Sequence, residues 1–197
     1  MFVTTPTVCN VKISFAVPQL SEAHLELLRD MASKLSQHYY VVRAKYTFTI
    51  YRKSKIVNVT GIDSFVNVMD SIHCFRALLD DCSNEFVNVK IDNITAIGRY
   101  TRVIDFLKIQ KCIPPGYTIK IPSIFPGAFI KLPNEKKILL FRSGKYISVG
   151  CKSRTELVTS FKYFKAVLEN YNKICPPTDT LSLASSTTDK AVRENSQ

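Results

Sequence analysis

A tract that recurs in the second half of the chain constrains its folding more than any other feature. Asn10-Val11-Lys12-Ile13 returns as Asn88-Val89-Lys90-Ile91, and Ile50-Tyr51-Arg52-Lys53-Ser54-Lys55-Ile56-Val57-Asn58-Val59 lines up with Leu140-Phe141-Arg142-Ser143-Gly144-Lys145-Tyr146-Ile147-Ser148-Val149. Two matches in the same order point to one supersecondary unit written twice. On these alignments Phe15 stands opposite Asn93, Tyr51 opposite Phe141, and Lys55 opposite Lys145.

Between the anchors each half offers the same elements. Val8 to Val17 reads as a strand, and Ser21 caps an amphipathic helix carrying Leu25, Leu28, Met31 and Leu35 at helical spacing. In the second half Val87 to Ala96 is the strand, and roughly Tyr100 to Lys111 the helix, with Val103, Ile104, Leu107 and Lys108 along it. Antiparallel strands follow in each half, then a closing helix. Ser153-Arg154-Thr155-Glu156 is a capping box before the apolar stripe Leu157, Phe161, Phe164 and Leu168. Its counterpart starts near Asp63 or Ser64 and buries Phe65, Met69, Ile72 and Leu79. Strand, helix, strands, helix, twice over, predicts an α+β fold: one curved antiparallel sheet with helices on one face and the other face open. The first unit occupies 1–86 and the second 87–175. From Pro176 onward the composition turns Ser/Thr-rich, and 176–197 reads as a disordered tail.

Charge supplies the first functional hint. The 197 residues carry 27 Lys and Arg against 16 Asp and Glu, a net charge of +11. Self-repulsion of that size destabilises a compact state, and a polyanionic partner is the usual compensation. At 46% hydrophobic residues the chain has the apolar mass for a real core. No apolar run approaches the ~18 residues of a membrane span, and Met1 to Pro6 lacks the features of a secretion signal, so a soluble intracellular protein is expected. The six cysteines are scattered without a CxxC pair or a histidine set for metal, and read as reduced thiols. Phosphate-loop, dinucleotide, nucleophile-elbow and zinc-protease signatures are all missing. His24, His38 and His73 lie in helical contexts, and Asp80-Asp81 reads as a solvated turn. The expectation is no enzyme, no cofactor, no metal and no small-molecule substrate.

The second half carries a more specific signal. Ile91-Asp92-Asn93-Ile94, Pro122-Ser123-Ile124-Phe125-Pro126-Gly127, Leu140-Phe141-Arg142-Ser143-Gly144-Lys145 and Val149-Gly150-Cys151-Lys152 follow one another at compatible spacing. In these motifs the chain resembles the TATA-box-binding protein family, over roughly residues 8 to 172 and most clearly in the second half. The resemblance implies a saddle of two repeats whose concave sheet binds and bends AT-rich promoter DNA in the minor groove, with helices on the convex face. It further implies Phe125 and Phe141 as paired intercalating wedges and Asn93 near the pseudo-twofold axis against minor-groove acceptors. Arg142, Ser143, Lys145 and Lys152, with Arg52 and Lys55 in the first half, fall to the DNA backbone. RNA polymerase or initiation factors would be the protein partners, in the nucleus.

The first half departs from that pattern. With Phe15 opposite Asn93 the axial asparagine pair is reduced to one, and Tyr51 replaces a wedge phenylalanine. A phenol stacks, but its hydroxyl resists burial between bases; Tyr39 and Tyr40 both remain open as its companion. Val149 replaces a groove-facing threonine, and Ile121 and Ser123 replace acidic residues that the family uses to recruit transcription factor IIB. Such divergence has the look of a viral version, which would place the protein in a cytoplasmic factory. Two other readings stand beside DNA bending. One is a saddle that binds polymerase or transcription-factor subunits without bending DNA; the other is an accessory domain of nucleic-acid processing. A basic-rimmed apolar concave face favours the first, and an acidic polar face the protein-binding alternative.

Overall fold

The computed structural model describes residues 3–80 and 85–176. Cys82, Asp81 and the Ser/Thr-rich tail from 177 lie outside the described residues. The first half runs β1 (Thr7–Ala16), α1 (Glu22–Asp30), β2 (Ala32–Leu35), β3 (Tyr39–Arg43), β4 (Thr47–Tyr51), β5 (Ile56–Ile62), a 3-10 turn at Phe65–Asn67 and α2 (Val68–Leu78). The second runs β6 (Val87–Arg99), α3 (Phe106–Gln110), β7 (Thr118–Lys120), β8 (Gly127–Lys131), β9 (Lys137–Phe141), β10 (Lys145–Cys151) and α4 (Arg154–Ile174). All ten strands form one antiparallel sheet in the order β2-β3-β4-β5-β1-β6-β10-β9-β8-β7. The expected α+β architecture is therefore present.

Pleating sends alternate residues to opposite faces. On the helix-covered face Val11, Ile13, Phe15, Phe48, Ile50, Val57 and Val59 meet Leu25, Leu28, Ile72 and Phe75 in one core. Ala128, Ile130, Ile138, Leu140 and Tyr146 meet Ile109, Phe164, Val167 and Leu168 in another. A smaller cluster of Ile94, Ala96, Cys151 and Leu157 touches Val8, Phe65 and Ile91 where the halves join.

The β1–β6 ladder fixes how the halves correspond. Val11 pairs with Ile94, Asn10 with Thr95 and Lys12 with Asn93; further out, Ile13–Ile91 answers Val8–Ala96, and Ser14–Lys90 answers Thr7–Ile97. Each pair maps onto another when Val11 and Ile94 exchange places, so the pseudo-twofold axis passes through them. Asn10 then corresponds to Asn93 and Phe15 to Gly98. The neighbouring ladders agree, since Val11 pairs with Ile62 as Ile94 pairs with Cys151. The verbatim recurrence of Asn-Val-Lys-Ile is thus coincidental, and the expected loss of an axial asparagine is corrected.

The second alignment holds at Tyr51 and Phe141, which end β4 and β9. It slips beyond the turn, where the first half has one residue more. Lys55, at φ 53°, occupies the left-handed place of Gly144, at φ 80°. Ile56, not Lys55, corresponds to Lys145.

Three helix expectations are also corrected. Ser21 does cap α1, accepting from the His24 N–H, but the helix stops at Asp30, so Met31 is its C-cap and Leu35 lies exposed on edge strand β2. The expected helix from Tyr100 shrinks to α3, capped by Asp105, which accepts from the N–H groups of Leu107 and Lys108. Before it the chain is bent and irregular, because the Tyr100 and Ile104 N–H groups donate to the carbonyls of Gly144 and Arg142; Val103 and Leu107 stay exposed. In α2, Ile72 is buried but Met69 faces solvent. The Ser153 cap of α4 is as expected, accepting from the Glu156 N–H. No helix among the described residues is long and apolar enough to cross a membrane.

Candidate nucleic-acid interface

The sheet face away from the helices holds the residues alternating with the two cores. Its centre is occupied by two carboxamides. Asn93 Oδ1 accepts from the Gly150 N–H at 2.7 Å, and Asn10 Oδ1 accepts from the Gly61 N–H at 2.9 Å. Both glycines have φ near +90°, at irregularities where β10 and β5 bulge against the central strands. Only glycine takes that backbone cheaply, and the bulge turns its N–H toward the asparagine. With each oxygen held by a backbone donor, the Nδ2 groups are the amide atoms left for a ligand, and the assignment of oxygen and nitrogen follows from the network. Asn93 Nδ2 donates one of its two hydrogens to Thr95 Oγ1 at 3.2 Å, which leaves the second for a ligand.

Each end of the face carries aromatic rings. In the second half Phe125 lies 4.9 Å from Phe129 and 5.9 Å from Phe141, centroid to centroid, so three rings converge where β8 meets β9. In the first half Tyr39 and Tyr51 are cross-strand partners 5.9 Å apart. Tyr40, by contrast, points into the core. Tyr39, opposite Tyr51 where Gly127 is opposite Phe141, is therefore the ring that accompanies Tyr51. The question left open between Tyr39 and Tyr40 is answered by pleat parity.

Between centre and ends the halves differ in chemistry. Across β3, β4, β5 and β1 the open face presents Val41, Thr49, Asn58 and Ser14 as successive cross-strand neighbours. Across β8, β9, β10 and β6 the corresponding row is Phe129, Leu139, Ile147 and Ile97. Lys120, Lys131 and Lys137 surround Phe129 with Thr118 and Pro122, in a recess of about 390 Å³. The second half of the face is thus apolar with a lysine rim, and the first is polar without being acidic.

The other anticipated residues are dispersed along the turns. Lys145 opens β10 and is exposed, and Ser143 Oγ caps its N–H at 3.4 Å. Arg142 lies 5.5 Å from the ring centroid of Phe106, and Arg52 lies 5.4 Å from that of Tyr40; both rings belong to the helix side of the sheet. Lys55 Nζ donates to the Pro18 carbonyl. Lys152 donates its N–H to Glu156, whose carboxyl is held below its ordinary pKa by the Lys136 ammonium first and by this N–H second. The structure brings Asn93, Phe125 and Phe141 onto one face with Tyr51 and Lys145, and leaves Arg52, Arg142, Lys55 and Lys152 at its margins.

Asn10, Phe129 and the lysines around Phe129 lie outside the sequence expectations, which held Tyr39 as one of two alternatives. A faint signal for Asn10 exists in Cys9-Asn10-Val11, which has the form of Asp92-Asn93-Ile94, an asparagine followed by a β-branched residue. No group of histidine, cysteine or acidic residues suited to a metal ion occurs among the described residues.

Residues 88–171 match the family model described as transcription factor TFIID, or TATA-binding protein. The chain is 31% identical over 90 residues to TATA box-binding protein-like 2 of Rattus norvegicus, a stretch covering 45% of this chain and 26% of that protein. It is 32% identical over 85 residues to the TATA-box-binding protein of Sulfolobus acidocaldarius, covering 42% of each. The match therefore spans less than half the length of these curated relatives. Among solved structures, Methanococcus jannaschii TBP superposes with a TM-score of 0.68 at 21% identity, covering 84% of this chain and 99% of that one. Likeness of fold extends through both halves, whereas likeness of sequence is concentrated in the second.

Proposed function

We propose, for a chain that belongs to the TATA-binding-protein family, that it is a transcription-initiation factor whose open sheet face binds and bends the minor groove of AT-rich promoter DNA. The observation that carries this reading is the asparagine pair on the twofold axis. An A·T or T·A pair presents only acceptors in the minor groove, the adenine N3 and thymine O2. Asn10 and Asn93 have their acceptors already taken by Gly61 and Gly150, and offer donors. A G·C pair at the centre would set its N2 amino group against those donors.

Phe125 and Phe141 at one end and Tyr39 and Tyr51 at the other are placed to enter base steps and kink the duplex. Unstacking costs a few kcal/mol per step, which apolar contact with Leu139, Ile147 and Val149 and phosphate neutralisation by the rim lysines offset. On this reading 1–86 and 87–175 act as two repeats, Arg52, Lys55, Arg142, Ser143, Lys145 and Lys152 serve the backbones at the margins, and the protein works beside RNA polymerase and initiation factors where promoters are read. That place is the nucleus, or a cytoplasmic factory if the chain is viral.

The test is binding to an AT-rich and a GC-rich duplex carrying donor and acceptor dyes at their ends, across a salt series. AT-preferring binding with increased energy transfer supports the reading; sequence-blind binding without bending removes it. One observation favours the protein-binding alternative. Ile124, beside Phe125 in the loop before β8, is 96% exposed, a large apolar side chain suited to a polymerase or initiation-factor subunit. Loss of factor capture by Ile124→Asp with DNA bending retained would assign that loop to a partner.

A further inference from the structure

The two halves of the open face are related by a twofold axis, yet the rows they present are chemically opposite. Thr49, Asn58 and Ser14 stand where Leu139, Ile147 and Ile97 stand in the other half. Thr49 and Asn58 are half-buried, and Ser14 Oγ is buried with no hydrogen-bond partner. Buried hydroxyls without partners are uncommon, and this one faces the side of the sheet that carries the asparagines. The side chain of its cross-strand neighbour Asn58 makes no hydrogen bond among the described residues, and its half-buried carboxamide is open to a ligand's polar groups.

We infer that the two rows read different base pairs: Thr49 and Asn58, beside the polar Ser14, accept G·C pairs in the minor groove, whereas Leu139, Ile147 and Ile97 reject them. The inference rests on the minor-groove reading above. A G·C pair differs there by one group, the guanine N2 amino donor. Against leucine and isoleucine that donor loses its water and gains no acceptor, which costs affinity. Against the Thr49 hydroxyl or the Asn58 carboxamide oxygen it finds an acceptor, while the hydroxyl and amide donors still serve N3 and O2. The preferred element is then asymmetric, with A·T pairs required on the side of the second half and G·C tolerated on the side of the first. A symmetric scaffold acquires a direction on DNA from this difference.

The orientation can reverse on a duplex, and that makes the test sharp. The full chain is titrated with three labelled duplexes: an all-A·T element, one with G·C on a single side of its centre, and one with G·C on both sides. Wild type is expected to bind the first two alike, whichever side carries the G·C, because it turns to place that side under Asn58. The two-sided duplex is expected to bind about tenfold or more weakly, the usual cost of a mismatched pair. Thr49→Leu with Asn58→Ile, which copies the second half, should weaken the one-sided duplex relative to the all-A·T element by the factor that the two-sided one loses in wild type. Ile147→Asn should recover binding of the two-sided duplex. A thermal melt certifies that each variant is folded, and each duplex is compared with the all-A·T element bound by the same variant. If wild type binds the one-sided duplex about tenfold or more weakly than the all-A·T element, or if Thr49→Leu/Asn58→Ile leaves the profile unchanged, the inference fails while the minor-groove reading stands. If no duplex binds, both fail.

Discussion

Gly98 lies against the ring of Tyr146, so closely that a Cβ on residue 98 would stand 2.2 Å from the phenol oxygen. The two are cross-strand partners, and their counterparts in the first half are Phe15 and Val57. The same space beneath the helices is filled in both halves, with the large ring on the central strand in one and on its neighbour in the other. Gly98→Ala should therefore destabilise the fold by about 1–3 kcal/mol through overpacking. Gly98→Phe combined with Tyr146→Val, which borrows the first-half pair, should cost less than the two single changes added together. It still forfeits the hydrogen bond from the Tyr146 hydroxyl to the Thr4 carbonyl, worth about 1 kcal/mol. Urea unfolding of the four proteins measures the coupling, and strict additivity would show that the two volumes are not exchanged.

Two carboxylates predict the response to acid. Asp70 accepts from Lys45 Nζ at 2.8 Å and from the Tyr46 hydroxyl, and its pKa lies below the ordinary aspartate value, with the Lys45 contact as the larger cause. Glu156, bound by Lys136 and the Lys152 N–H, is lowered likewise. A carboxyl whose pKa is lower folded than unfolded binds fewer protons in the folded state. Its contribution is complete above the unfolded pKa and disappears as pH falls through the folded one. The melting temperature should hold from neutral pH down to the ordinary carboxylate range and decline below it. Asp70→Asn and Glu156→Gln should flatten that decline while lowering the plateau, and equal slopes in wild type and variants would contradict the assignment.

Much of the architecture was legible because burial has a period. The cap at Ser21, the stripe of α4 and the strand, helix, strands, helix order follow from local pattern alone. What misled was a short identity. Asn-Val-Lys-Ile matches letter for letter at positions 10 and 88, but register in a sheet is set by which residues face the core, and the match sets Phe15, which is core, against Asn93, which is not. Tyr39 and Tyr40 could be separated only by parity against Phe48 and Ile50. The irregular stretch before α3 has no local signature because its cause is nonlocal: the carbonyls of Arg142 and Gly144 claim N–H groups that a helix would have used. Phe129 and its lysines come together only when β7, β8 and β9 pair, and no spacing in the sequence marks them.

The asparagines allow donor and acceptor roles to be separated. Asn93→Asp keeps an oxygen for the Gly150 N–H but replaces the Nδ2 donors with a second, negatively charged oxygen. Stability should change little, while affinity for AT-rich DNA falls by about tenfold or more, since a good base contact contributes about 1–3 kcal/mol. Asn10→Asp should act alike because the axis makes the two equivalent. Fluorescence anisotropy with a parallel thermal melt distinguishes this from unfolding, and retained affinity in either variant would exclude that carboxamide from the groove.

The aromatic ends should differ in what they tolerate. Phe141→Ala removes a ring from the convergence with Phe125, and should lower end-to-end energy transfer in the bound duplex. Tyr51→Phe should increase it, because the phenol hydroxyl loses its hydration between bases and phenylalanine has none to lose. Unchanged bending in Phe141→Ala would take the wedge role from that end.

Salt dependence isolates the lysines from the rings. Each phosphate neutralised on B-form DNA contributes about 0.9 to the slope of log affinity against log salt. Lys120 and Lys137 flank Phe129 on the open side, and Lys145 opens the neighbouring strand. Changing any one of them to glutamine should reduce the slope by about 1 with the AT preference intact, because a phosphate contact carries no sequence information. Lys165, exposed on α4 behind the sheet, serves as the control: Lys165→Gln lowers the net charge equally but should leave the slope as it was. Phe141→Ala should likewise leave it unchanged while bending is lost. If Lys165→Gln reduced the slope as much as Lys137→Gln, the DNA would be responding to overall charge and the open face would have no special claim to it.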